Sequence, residues 1–92
     1  MSLFQWDEAN VEHIARHGVT PAECEEVLAG AYFDLGADEE NGEIRFSYLG
    51  ETARGRILLV VVTERGEALR PVTAFEPGTY LRKLYLQSRL TL

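Results

Sequence analysis

Arg56-Ile57-Leu58-Leu59-Val60-Val61-Val62-Thr63 is the stretch on which the fold turns. Every residue from Ile57 to Val62 is apolar, the pattern of a strand covered on both faces. Such a strand belongs in the middle of a sheet. Downstream, Glu64-Arg65-Gly66-Glu67 reads as a hairpin connection with Gly66 available for positive φ, leading into a strand from Leu69 to Phe75. Pro71 cannot donate to a ladder, so it restricts that strand to an edge, a bulge or an outward-facing amide. Upstream, Ile44, Phe46 and Tyr48 alternate with Arg45, Ser47 and Leu49, which predicts a strand with one core face and one more exposed face. Tyr32 to Leu35 is a short strand candidate, and the acidic stretch Ala37 to Gly42 reads as the turn between the two.

Helical signals flank these strands. Asp7 is a good N-cap, with Trp6 before it and Val11 placed to form a hydrophobic staple; Val11, Ile14 and Ala15 share a face, and Gly18 closes the helix in the left-handed conformation. Thr20-Pro21-Ala22-Glu23 then opens a second helix to about Ala29, as a capping box with proline at the first helical position. Its buried candidates are Cys24, Val27 and Leu28. Beyond Glu76-Pro77-Gly78, Thr79 is placed to cap a terminal helix with Leu81, Leu84, Tyr85 and Ser88 on one stripe. The predicted fold class is α+β: two N-terminal helices, a curved three- to four-stranded antiparallel sheet and a C-terminal helix.

A chain of 92 residues with 46% apolar content is the size of one domain, expected to span 1–92. No run approaches the roughly 20 apolar residues of a membrane helix, and the opening MSLFQWDE turns acidic before a signal-peptide core forms, so a cytoplasmic protein is expected. Cys24 is the only cysteine, which excludes an internal disulfide and reads as a small apolar helix residue. The net charge of -6 argues against a general nucleic-acid binder. That average conceals an asymmetry. Residues 1–43 carry eleven acids against Arg16 alone, giving -10, whereas residues 44–92 carry four acids against eight cations, giving +4. An anionic partner can meet one half and a cationic partner the other; scattered surface ion pairs explain the same numbers.

The segment from Trp6 to Pro21, WDEANVEHIARHGVTP, resembles the N-terminal signature of BrnT-like toxins: a Trp-Asp helix start, a His-Gly-Val turn and a second acidic helix. Arg45 to Gly50, Gly55-Arg56 before the apolar strand, and Arg70 followed by Val72-Thr73-Ala74 extend the likeness over most of the chain. The resemblance implies a RelE-like fold, metal-independent endoribonuclease activity without a cofactor, and neutralisation by a small DNA-binding antitoxin of ribbon-helix-helix type. Departures lie toward the C-terminus. Phe75 stands where the family continues with Arg, and Leu81 where its last helix carries Glu; Tyr85 alone of that set is retained.

Cleaving RNA without a metal needs a group to take the 2′-hydroxyl proton, cations to stabilise charge building on phosphorus, and a donor for the leaving oxygen. Arg56 and Arg70 are expected to converge on one phosphate, with Arg54 on the adjoining loop and Arg82 and Lys83 on the last helix contacting RNA; each has a surface ion pair as its plainer explanation. His17 suits acid–base work, or simply stabilises the end of its helix before Gly18. His13 and His17 share a helical face at a spacing that permits metal chelation, but no third ligand is evident. Tyr85 is a candidate proton donor or stacking surface, as are Tyr48, Phe46 and Tyr80 for stacking, with core packing as the alternative. Glu51, Glu64 and Glu67 lie near predicted strand ends, and nothing selects one as a base. The leading expectation is a toxin-type endoribonuclease using Arg56, Arg70 and His17 or Tyr85. The alternatives are a catalytically inactive binding module of the same fold and a homodimer built through the terminal helix.

Overall fold

The computed structural model describes residues 3–90, so the extremities of the 1–92 span, including the first two residues of the acidic opening, lie outside it. The elements are α1 (Glu8–Ala15), α2 (Pro21–Ala29), β1 (Phe33–Glu40), β2 (Glu43–Glu51), β3 (Ile57–Arg65), β4 (Ala68–Phe75) and α3 (Thr79–Leu90). The strands form an antiparallel meander in the order β1-β2-β3-β4, so β3 is interior as expected. Three helices and one open four-stranded sheet make an α+β arrangement.

Both faces of β3 are used because its residues alternate between two cores. Leu58, Val60 and Val62 pack with Ile14, Val19, Cys24 and Val27 beneath α1 and α2. Ile57 and Leu59 pack with Leu49 and with Tyr85 of α3 on the other face. The helix starts follow the sequence signals. Asp7 caps α1 in a capping box completed by Asn10, and Thr20 caps α2 in one completed by Glu23. Gly18, at φ +71°, ends α1: the Val19 amide donates to the Ile14 carbonyl and the Gly18 amide to that of Ala15, a Schellman arrangement. Gly50 permits a close approach of α2 to the sheet, since a Cβ there would lie 2.8 Å from Val27 Cγ1.

Two expectations need correction. The acidic stretch Ala37–Glu40 is strand, and the turn is only Asn41-Gly42, with φ of 53° and 78°. Positive φ at both residues is the two-residue turn that matches strand twist, and it lets an exposed edge strand run to its end. Thr79 does not cap α3 from outside. It is the first helical residue, and the Gly78 carbonyl accepts from the Arg82 amide. Pro71 fits the restriction placed on it, on edge strand β4 at a bulge that leaves Val72 between the pairs Val61↔Thr73 and Val62↔Pro71. Among the described residues no helix is long and apolar enough to cross a membrane.

Candidate functional site: two charged clusters on one ladder

Arg56 and Arg70 do not converge. Arg56 immediately precedes β3, whereas Arg70 pairs with Thr63 near the far end of that strand. Seven residues at strand rise separate the two rows by about 20 Å. Each guanidinium also has carboxylate partners. The expected common phosphate site is therefore replaced by two distinct clusters.

The first is a clamp. Arg56 donates from Nε to Glu76 (2.8 Å) and from Nη1 to the Gly18 carbonyl (2.8 Å) and both Glu23 oxygens (3.0 and 3.1 Å). It thus joins the α1–α2 turn, the start of α2, the entry to β3 and the exit from β4. The Glu76 and Glu23 carboxylates bind the charged form and raise the Arg56 pKa. Burial opposes ionisation of Glu23, but the Thr20 amide and Arg56 outweigh it and hold that carboxyl below its ordinary value. With these donors already engaged, the clamp reads as architecture.

The second is a cleft of about 200 Å³ between α1 and the hairpin end of the sheet, lined by Asn10 and His13 of α1 with Glu43, Arg45, Arg65 and Arg70. Strand register creates it. Arg45 and Arg70 flank Thr63 from either side, and Arg65 lies two residues further along the same face. Thr63 is small and buried, its hydroxyl donating to the Ile44 carbonyl, so the arginines stand around open space. Helix α1 forms the wall because Asn10 Nδ2 donates to the Pro71 and Gln5 carbonyls, each at 3.0 Å. His13 Nε2 lies 3.1 Å from Thr73 Oγ1 in a hydrogen bond whose direction follows the imidazole tautomer.

Carboxylates meet the guanidinium groups of the cleft. Arg70 meets Asp7 through both forks (2.8 and 3.2 Å), Arg65 meets Glu43 (2.7 Å), and Arg45 meets Glu40 (3.0 Å) and Glu43 (3.4 Å). Arg70 holds the Asp7 carboxyl below its ordinary value and Arg65 does the same to Glu43. These pairs join the basic half of the sequence to the acidic half, which absorbs much of the asymmetry internally. Arg54, Arg82 and Lys83 form no ion pair among the described residues.

His17 sits one helical turn from His13, with ring centroids 5.6 Å apart, and its other side leans on Phe75 at 5.8 Å. It borders the cleft without lining it. Tyr85 is 1% exposed in the α3 core, and its hydroxyl donates to Glu51 at 3.1 Å, so no ring face is open for a base to stack on. Burial, then Glu51, raises its pKa. Phe75 and Leu81, the two departures noted in the sequence, pack into this same core. Cys24 is fully buried, and burial pushes its thiol up to about 12, aided by Glu23 and Glu25. Among the described residues no group of three or more His, Cys, Asp or Glu side chains is placed to hold a metal ion.

Arg45, Arg65, Glu43 and His13 were not singled out together by the sequence. The signal exists as alternation of Glu43 and Arg45 on β2, but uniting them with Arg65 and Arg70 needs the register across the irregular β2–β3 connection, which no turn motif declares.

No curated relative matches the chain. Residues 6–76, from the start of α1's capping segment through β4, match the family model described as the ribonuclease toxin BrnT of a type II toxin-antitoxin system. That match covers α1, α2, the whole sheet and both charged clusters; the chain belongs to the BrnT family of ribonuclease toxins.

Proposed function

We propose that this chain, as one domain over 1–92, is a metal-independent endoribonuclease acting in the cytoplasm, and that it holds the scissile phosphodiester in the cleft between α1 and the sheet. The observation that carries this reading is the gathering of Arg45, Arg65 and Arg70 beside His13. Three guanidinium groups supply the positive charge that a metal would otherwise bring to phosphorus. Asp7 and Glu40 are exposed over half their side-chain surface, so a phosphate can take their places at the forks while they turn to solvent.

In the proposed reaction the 2′-hydroxyl loses its proton to a base and its oxygen attacks phosphorus. The bond to the 5′ oxygen breaks, and that oxygen receives a proton, leaving a 2′,3′-cyclic phosphate and a 5′-hydroxyl end. His13 is the proton-transfer group lining the cleft, and His17 lies next in reach. Glu43, with its carboxyl held low by Arg65, is a weak base and serves to orient Arg65 and Arg45. Of the residues picked from sequence, Arg70 has the catalytic placement, while Arg56 and Tyr85 hold the fold. Arg54, Arg82 and Lys83 remain the proposed RNA contacts outside the cleft, supported by the lack of ion pairs to them among the described residues. Cleavage of a structured RNA in excess chelator by protein purified free of any partner, lost in Arg70→Ala, is the expected result. An inert wild type would overturn the assignment.

A ribbon-helix-helix antitoxin is the proposed partner. One observation favours the second reading, a catalytically silent binding module: every cleft arginine already has a carboxylate, and Phe75 and Leu81 have turned family-polar positions into core. That reading predicts complex formation with no cleavage. A homodimer through α3 draws support from exposed Tyr80, Leu86 and Leu90, and sedimentation at working concentrations decides it.

A further inference from the structure

The face of the sheet that carries α1 and α2 is incompletely covered. Ile44, near the Asn41-Gly42 turn, is 54% exposed, and Tyr32, just before β1, is 48% exposed. Between α2 and the N-terminal segment lies a groove of about 190 Å³, lined by Leu3, Phe4, Leu28, Tyr32, Tyr48 and Leu69. Tyr32 and Tyr48 meet edge to face with centroids 4.8 Å apart, giving the groove a stiff aromatic wall.

Charge at its margin has one sign. Register sets Asp34 beside Tyr48 and Glu39 beside Ile44 on β1, and Glu64 beside Leu69 on β3. All three carboxylates are exposed, and none has an ion-pair partner among the described residues. On the opposite face of the sheet Glu40 and Glu43 are engaged with arginines and Asp38 stands beside Arg45 in register, so the acidic groups remote from any arginine lie around this apolar surface. An RNA strand would meet uncompensated negative charge here. A second copy would present the same acidic margin against its own, on a chain of net charge -6.

We propose that this groove docks a basic amphipathic segment of a protein partner, which inserts a large apolar side chain between Leu28, Tyr32 and Tyr48 and lays Lys or Arg over Asp34, Glu39 and Glu64. The inference rests on the antitoxin reading only for the source of that segment. Ile44, Phe46 and Tyr48 project from the opposite face of β2 to Glu43 and Arg45, so the docked segment anchors a partner without filling the cleft.

The test titrates isotope-labelled full-length protein with a synthetic amphipathic peptide of leucine and lysine, its leucine–glutamate counterpart, and oligouridylate, following amide resonances. The lysine peptide alone is expected to shift Leu28, Tyr32, Ile44 and Tyr48. Ile44→Ser and the double variant Glu39→Lys/Glu64→Lys should each weaken it by about tenfold, with Tyr32→Ser as an independent check on the apolar wall. Equal binding by all variants, shifts confined to other surfaces, or the same residues responding to oligouridylate or to self-association would overturn the proposal. Peptide binding together with failure of a co-expressed antitoxin to pair would retain the groove and remove the antitoxin; an RNA-cleavage defect would leave the peptide result unchanged.

Discussion

At the entry to β3, Arg56 ties four pieces of chain together and has a backbone carbonyl among its acceptors. At the other end of the same ladder, Arg70 and Arg45 meet only side-chain acceptors around an open cleft, and Arg65 adds to its Glu43 partner only the carbonyl of its own neighbour Glu64. The difference teaches how to separate an architectural cation from one available to a ligand. A guanidinium holding a carbonyl of a helix turn is fixed by the fold itself, whereas one holding exposed carboxylates can exchange them for another oxyanion of similar shape.

The largest expected effect follows from that contrast. Arg70→Ala should slow RNA cleavage by about a hundredfold, while Arg56→Ala leaves the folded protein's rate within about threefold. Single-turnover cleavage of one RNA by both variants measures it. Equal losses would mean that the clamp shapes the cleft; an unaffected Arg70→Ala would move the chemistry elsewhere on the molecule.

Stability should rank the two arginines the other way. Arg56→Ala strands Glu23 and releases the Gly18 carbonyl, a loss of about 2 kcal/mol after allowance for solvent reaching a side chain 28% exposed. Urea unfolding of the two variants compares them. Arg70→Ala should lose less, because Asp7 is 53% exposed and rehydrates readily. A more destabilised Arg70 variant would reverse the architectural reading.

The fold was legible because its signals are local. Asp7, Thr20-Pro21 and Gly18 declare helix ends through their own backbone chemistry, and the run Ile57–Val62 declares an interior strand by lacking a polar face. Ala37–Glu40 was misread because acidic residues carry the composition of a turn; only the demand of Asn41-Gly42 for positive φ places the turn later. The cleft was less legible. Arg70 was picked out, but its neighbours Arg45 and Arg65 come from strands joined through residues 52–56, where the backbone bonds of Thr52 and Gly55 replace any recognisable hairpin. Side-chain convergence across strands depends on register, and a shift of one residue would put Arg45 on the other face.

Tyr85 sharpens the comparison from a third position. Its ring fills the α3 core and its hydroxyl meets Glu51, so Tyr85→Phe removes one hydrogen bond and leaves packing intact. The expected loss is about 1 kcal/mol in urea unfolding, with cleavage within about twofold of wild type. A large cleavage defect at unchanged stability would restore Tyr85 as a proton donor.

The smallest effect is in the acid limb of stability, where the two clusters can be compared with helix capping held constant. Asn caps a helix as well as Asp, and Gln completes a capping box as well as Glu, so Asp7→Asn and Glu23→Gln remove chiefly the ionic links to Arg70 and Arg56. Both carboxyls have folded pKa values below their ordinary 3.8 and 4.5. The unfolded chain therefore binds more protons as pH falls through this window; the stabilisation is complete above the ordinary values and disappears as pH drops through the folded ones. Glu23 is the less exposed partner, at 24% against 53%, and its arginine is tied to the fold by Gly18. Stability measured by urea at successive pH values should accordingly lose more of its slope below 4.5 in Glu23→Gln than it loses below 3.8 in Asp7→Asn. A steeper loss in Asp7→Asn would mean that the cleft's carboxylate is the firmer of the two, and that an incoming phosphate would not readily displace it.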